Sequence, residues 1–209
     1  MSVYQLKSQF QNLLRPLVVR LAHAGVTANQ VTIGAAFASV ILGALLFWGG
    51  SAVWFALVPV WLFLRMALNA VDGMLAREHN QKTILGAYLN EVGDVVSDVA
   101  LYAPFALIAP FSGAWMFTII LLAVLTEFVG VTGASLGASR RYDGPMGKSD
   151  RAVVFGVLGA WIAIDGGLPD WAFWVQPLLC LLLAMTVIKR VRGGLAEVGS
   201  RAVPVKTES

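Results

Sequence analysis

Between Arg65 and Asp98 the sequence sets polar side chains into two otherwise apolar stretches: Arg65, Asn69, Asp72, Asn90, Glu91, Asp94 and Asp98. A carboxylate at the centre of a membrane helix costs about 2.5–3.5 kcal/mol on insertion scales, so one that is kept there has a use. Asn69 and Asp72 are three residues apart and share a helix face. Gly86, Asn90, Asp94 and Asp98 advance in steps of four, again along one face, each step about 6 Å along the axis. Glu91 lies at the edge of that face. Gly73 and Gly86 leave room for close approach of a helix or a ligand. Two helices joined by a short loop, packed side by side, would bring these faces into one acidic pocket near the cytoplasmic surface. Oxygen donors of this kind suit a hard cation, Mg²⁺ or Mn²⁺. Mg²⁺ commonly shares its remaining positions with substrate phosphates, so the pattern points to a phosphate-bearing substrate. Two other readings stay open on the residues alone. One is polar side chains that glue helices together or line a water cavity. The other is the proton relay of a transporter.

The elements that must position these residues follow from composition. Of 209 residues, 58% are hydrophobic and 13% charged, against about 25% charged in a soluble domain. Such a chain needs lipid to cover its apolar surface. At roughly 20 residues per crossing, the expected fold is an all-α membrane protein of six transmembrane helices. The spans run near Val31–Gly50, Ala52–Val71, Ile84–Ile108, Trp115–Leu136, Ala152–Ile164 and Trp171–Ile188. Residues 1–29 mix Lys7, Arg15 and Arg20 with Leu14, Leu17, Val18 and Leu21 at helical spacing, which predicts an amphipathic surface helix. The domain reading is thus 1–29 juxtamembrane helix, 30–190 membrane domain and 191–209 polar cytoplasmic tail, frayed after Lys189. The turns at 49–51, 110–113 and 165–170 contain no Lys or Arg; fourteen of the fifteen basic residues fall on the opposite side, and the fifteenth, Arg65, lies inside the second span. By the positive-inside rule both termini are then cytoplasmic.

Outside the acidic faces, Arg140, Arg141, Lys148 and Arg151 cluster before the fifth span. They read either as charge facing anionic lipid or as an acceptor pocket, with Lys148 and Arg151 at a helix start able to bind a phosphate. Glu127, inside the fourth span, is expected to pair, with Arg65 as a candidate. Cys180 is the single cysteine, so no internal disulfide forms. No Zn²⁺ spacing, catalytic Ser-His-Asp set or nucleic-acid motif is evident, and no nucleic-acid partner is expected.

Asn69-x-x-Asp72-Gly73-x-x-Ala76-Arg77-x8-Gly86-x-x-x-Asn90-x-x-x-Asp94 resembles the signature of the class I CDP-alcohol phosphatidyltransferases, D-x-x-D-G-x-x-A-R-x8-G-x-x-x-D-x-x-x-D. The gaps match throughout, and the departures are Asn69 and Asn90, where the family has Asp. Thr27-Ala28-Asn29-x-x-Thr32 resembles the family's T-P-N-x-x-[ST] start of its first membrane helix. RMALNAVDGMLARE and GPMGKSDRA resemble its YnbA-like branch in Gram-negative inner membranes. The resemblance implies six spans and a surface helix, in a multi-pass protein of the bacterial inner membrane. It implies transfer of a phosphatidyl group from CDP-diacylglycerol or a similar CDP-linked lipid to an alcohol, with release of CMP. It implies Asp94 as the catalytic base and a divalent metal at Asn69, Asp72, Asn90 and Asp94. Glu91 and Asp98 are close enough to restore the charge that the two Asn remove. It places Asn29, Asp72, Gly73, Ala76, Arg77 and Gly86 at the cytidine diphosphate. Acceptor binding, for an alcohol or a polyol phosphate, falls to Arg140, Lys148 and Arg151. Homodimers are common in the family. The runner-up readings are an inactive homologue with a scaffold role and a transporter.

Overall fold

The computed structural model describes residues 3–202, with side chains for 9–201. Lys7 and the end of the tail, 203–209, lie outside the described side chains. Among the described residues the chain forms seven α-helices and no strand: α1 Val3–His23, α2 Ala28–Trp48, α3 Leu57–Glu78, α4 Ile84–Tyr102, α5 Gly113–Ser135, α6 Lys148–Asp165 and α7 Val175–Ala202. Short 3₁₀ turns precede α3 and α7 and follow α4. Four segments are long and apolar enough to cross a membrane: Ala28–Trp48, Ala52–Glu78, Gly113–Ser135 and Asp170–Arg201. The other two expected spans are less apolar for a plain reason. α4 carries Glu91, Asp94 and Asp98, and α6 carries Lys148, Asp150, Arg151 and Asp165.

The chain divides into two compact units. The first comprises residues 1–104 and 155–166. The starts of α2 and α4 are fixed by side chains that satisfy free backbone N–H groups. Thr27 and Gln30 form a reciprocal capping box at α2, and Thr83 accepts from the Gly86 N–H at α4. Gly25, at φ +76°, lets the chain reverse between α1 and α2. α1 lies on α3: Val18 is fully buried against Ala28, Val71, Met74 and Leu75, flanked by Leu14 and Leu21. Arg15 on its polar side pairs with Glu78 at 3.1 Å. The later part of α6 packs on α3, with Gly156 against Pro59 and Gly159 against Val58. Phe155 stacks on Tyr102 at 3.9 Å between ring centroids.

The expected side-by-side packing of α3 and α4 is corrected by the structure. The main backbone partner of α4 is α2, which also packs on α3. Glycines decide this: a side chain at Gly43 of α2 would collide with the Ala100 carbonyl of α4, and Gly93 of α4 sits over Ala36 and Thr32. α3 and α4 instead meet through polar side chains, as described below.

The second unit comprises residues 105–154 and 167–209. Its core is the pairing of α5 with α7. Ser112 caps α5, and its own N–H donates to Gln176 Oε1 at 2.9 Å. α7 is not frayed after Lys189 but continues as one helix to Ala202. Glu197 explains the extension, because it binds Arg201 within the helix and Ser139 and Arg141 from the preceding connection.

A candidate active site in the first unit

Two groups of polar residues occupy the first unit. The first lines a cavity of about 340 Å³. Its walls come from the start of α2 (Asn29, Thr32), the end of α3 (Asp72, Gly73, Ala76), the loop (Gln81, Lys82, Thr83) and the start of α4 (Gly86, Asn90, Glu91). Asp72, only 5% exposed, accepts a hydrogen bond from the Thr32 hydroxyl at 2.8 Å. The loop is tied to α2 through Gln81, which accepts from the Ala28 N–H at 2.7 Å and donates to the Val26 carbonyl. Gly86 stands against the Asn29 amide, where a Cβ would come within 2.7 Å of its oxygen. The narrow approach therefore depends on the missing side chain.

The second group lies deeper along the same helices. The Arg65 guanidinium, 3% exposed, donates to Asp98 Oδ1 at 2.5 Å, to the Asp94 carbonyl at 2.9 Å and to Asp94 Oδ1 at 3.4 Å. The Asn69 amide donates to the same Asp94 oxygen at 3.4 Å. Among the described residues no three of His, Cys, Asp and Glu gather into a metal cluster. The remaining donors are mixed, carboxylates with amide oxygens.

The sequence-derived residues thus separate. Asn29, Asp72, Gly73, Ala76, Gly86, Asn90 and Glu91 come together at the cavity. Asn69, Asp94 and Asp98 gather around Arg65. Arg77 is exposed and lies over Gly73 rather than among the lining residues. Gln81 and Lys82 were not legible as site residues, because a polar loop after a helix has a bland explanation.

In the second unit the expected partner of Glu127 is corrected. Glu127 pairs not with Arg65 but with three arginines: Arg151 at 3.1 Å, Arg140 at 3.2 Å and Arg190 at 3.5 Å. Arg151 and Arg190 are 1% and 2% exposed. Arg151 also donates to the Thr126 hydroxyl, and Arg190 to the Thr126 and Asp143 carbonyls. Lys148 opens α6, half-buried. Arg190 escaped the sequence reading because the pair Lys189-Arg190 looked like the start of a solvated tail.

A family model described as CDP-alcohol phosphatidyltransferase matches residues 25–188. The chain belongs to the CDP-alcohol phosphatidyltransferase family. As a member it is a membrane-embedded transferase of substituted phosphate groups, working on a CDP-linked alcohol. It is 44% identical over 198 residues to the inner membrane protein YnbA of Escherichia coli, covering 93% of this chain and 97% of that one. It is 29% identical to the phosphatidylinositol phosphate synthase of Mycobacteroides abscessus, over 88% of this chain and 84% of the relative. The fold is that of the Mycobacterium tuberculosis phosphatidylinositol phosphate synthase. The structure of that enzyme with CDP-DAG bound superposes with a TM-score of 0.73 at 20% identity, over 91% of this chain and 97% of that one. A second structure of the same enzyme, with manganese and citrate, gives 0.72 at 20% identity over 91% and 92%. At that identity the structural likeness speaks to the fold alone.

Proposed function

We propose that the enzyme transfers the phosphatidyl group of CDP-diacylglycerol to a hydroxyl of a polyol phosphate and releases CMP. The observation that carries this reading is the cavity itself. It gathers Asn29, Asp72, Gly73, Ala76, Gly86 and Asn90, from three helices, in one space of about 340 Å³. Gly73, Ala76 and Gly86 leave backbone close to the space, as a flat base and a diphosphate require. Lys82 adds a cation at its rim for the diphosphate.

The oxygen donors fit one hard divalent cation, Mg²⁺ or Mn²⁺, held at the cavity by Asp72, Asn90 and Glu91. When bound, that ion neutralises charge on the diphosphate as CMP leaves. Asp94 is the base. It takes the proton of the acceptor hydroxyl, whose oxygen bonds to the phosphatidyl phosphorus as the bond from that phosphorus to CMP breaks. Asp94 lies one turn from Asn90 on the same face of α4.

We assign the acceptor's phosphate to Arg140, Lys148 and Arg151, with Arg190. Arg140, Arg151 and Arg190 converge on the carboxylate of Glu127, and such a cluster of guanidiniums is suited to hold an anionic phosphate. The relatives named as phosphatidylinositol phosphate synthases support a phosphorylated acceptor. The same reading makes α1 a surface helix and adds α4 and α6 to the four apolar segments, for six spans in the bacterial inner membrane. Both termini are then cytoplasmic, and the chain forms a homodimer.

Ligand-induced stabilisation tests the cavity. CDP at about a hundredfold excess over its dissociation constant should stabilise the detergent-solubilised protein by about 2.7 kcal/mol. In Gly73→Leu the first atom added meets the flexible Arg77 side chain, and the rest of the new side chain is expected to narrow the cavity that Gly73 lines. This variant should fold and show no shift. An equal shift in both proteins would place the nucleotide elsewhere.

A further inference from the structure

The motif's donors, with Glu91 and Asp98 beside them, divide between two places. Asp72, Asn90 and Glu91 face the cavity, whereas Asn69, Asp94 and Asp98 surround the Arg65 guanidinium. Arg65 is buried, and it binds as a cation would, drawing on two carboxylates and a backbone carbonyl at 2.5–3.4 Å. A guanidinium in that position cannot exchange with solution. It also sits one turn before Asn69, where the expected carboxylate is replaced by a neutral amide. The loss of negative charge and the permanent positive charge therefore coincide.

We infer that Arg65 is a built-in cation of the site. It occupies the cation position among Asn69, Asp94 and Asp98, and it leaves room for one divalent ion, at Asp72, Asn90 and Glu91. The inference rests on the phosphatidyl-transfer reading above. Arg65 does not touch the substrate. It is a positioning residue that holds the Asp94 carboxylate at one angle through its carbonyl and one carboxylate oxygen.

The test is a count of Mn²⁺ by electron paramagnetic resonance on the full chain in detergent, with and without CDP. The inference expects one Mn²⁺ per chain, an uncoupled six-line spectrum, and loss of that ion in Asp72→Asn. Two ions per chain, or an exchange-coupled pair, would overturn it, as would no bound Mn²⁺ with CDP present. Arg65→Leu alone leaves Asp98 buried without its partner, so the companion variant is Arg65→Leu/Asp98→Leu, which removes the pair together. It should still bind one Mn²⁺ and leave KM for CDP-diacylglycerol little changed. Its kcat should fall about tenfold to a hundredfold, the range for groups that orient a ligand from behind, and Arg65→Lys should recover part of the loss. An unchanged kcat, or a loss expressed only in KM, would contradict the positioning role. The ion count is read without turnover. An inactive protein with one Mn²⁺ would therefore contradict the transfer reading alone, and an active one with two would contradict only the built-in cation.

Discussion

Asp94 and Glu91 sit on one helix in different surroundings, and the proposed mechanism gives them different tasks. Asp94 is held by Arg65 and Asn69, while Glu91 lines the cavity. Asp94→Asn keeps the shape and removes the base, so kcat should fall by about 10²–10⁴ with CDP binding retained, measured as CMP release and by thermal shift. Glu91→Gln should instead raise the Mg²⁺ concentration for half-maximal rate by about tenfold or more, read from a metal titration at saturating lipid. Asp98 belongs with neither. Its bond to Arg65 makes it a structural partner, and breaking a buried pair costs about 3–5 kcal/mol. The four-residue rhythm from Gly86 to Asp98 was legible in the sequence, since period alone fixes a helix face. The division of that face between cavity and Arg65 was not. It depends on how far α3 and α4 stand apart, which no spacing along one helix records. The same limit explains Glu127: its three arginine partners come from the connection, α6 and α7, separations at which sequence position is silent.

At the scale of elements, the cavity exists because α2 takes the close packing that α3 and α4 were expected to share. Gly43 carries this. A Cβ there would strike the backbone of Ala100, which cannot move aside, whereas Gly34 on the same helix has open space around it. Gly43→Ala should therefore destabilise by about 1–3 kcal/mol through overpacking. Gly34→Ala should be neutral or stabilising by up to about 1 kcal/mol through helix propensity. Thermal unfolding in one detergent compares them, and equal effects would dissociate the glycine from the packing. Apolar runs in the sequence placed α2 and α5 to within a few residues but ended α3 at Val71 rather than Glu78 and α4 at Ile108 rather than Tyr102. They could not place the end of α7, because Glu197 holds that turn through partners in another segment.

At the scale of the whole molecule, the distribution of charge predicts an orientation with both termini cytoplasmic. The three turns at 49–51, 110–113 and 165–170 contain no Lys or Arg, and Arg65 alone of the basic residues lies within an expected span; this asymmetry is what a sequence can report without a structure. Cysteines introduced at Lys82 and Ser139 in a Cys180→Ala background should be modified only when an impermeant maleimide reaches the cytoplasmic face, and one at Ser51 only from the opposite face. Labelling of Ser51 and Lys82 from the same side would reverse the topology.

The most direct measurement of the central claim is CMP release from CDP-diacylglycerol by the purified protein in lipid vesicles. Mg²⁺ or Mn²⁺ and a panel of alcohols and polyol phosphates would be supplied, with Asp94→Ala as control. The predicted result is release that depends on a phosphorylated polyol and disappears in the variant. Release that is indifferent to the acceptor panel, or that survives in Asp94→Ala, would contradict the assignment of phosphatidyl transfer to this site.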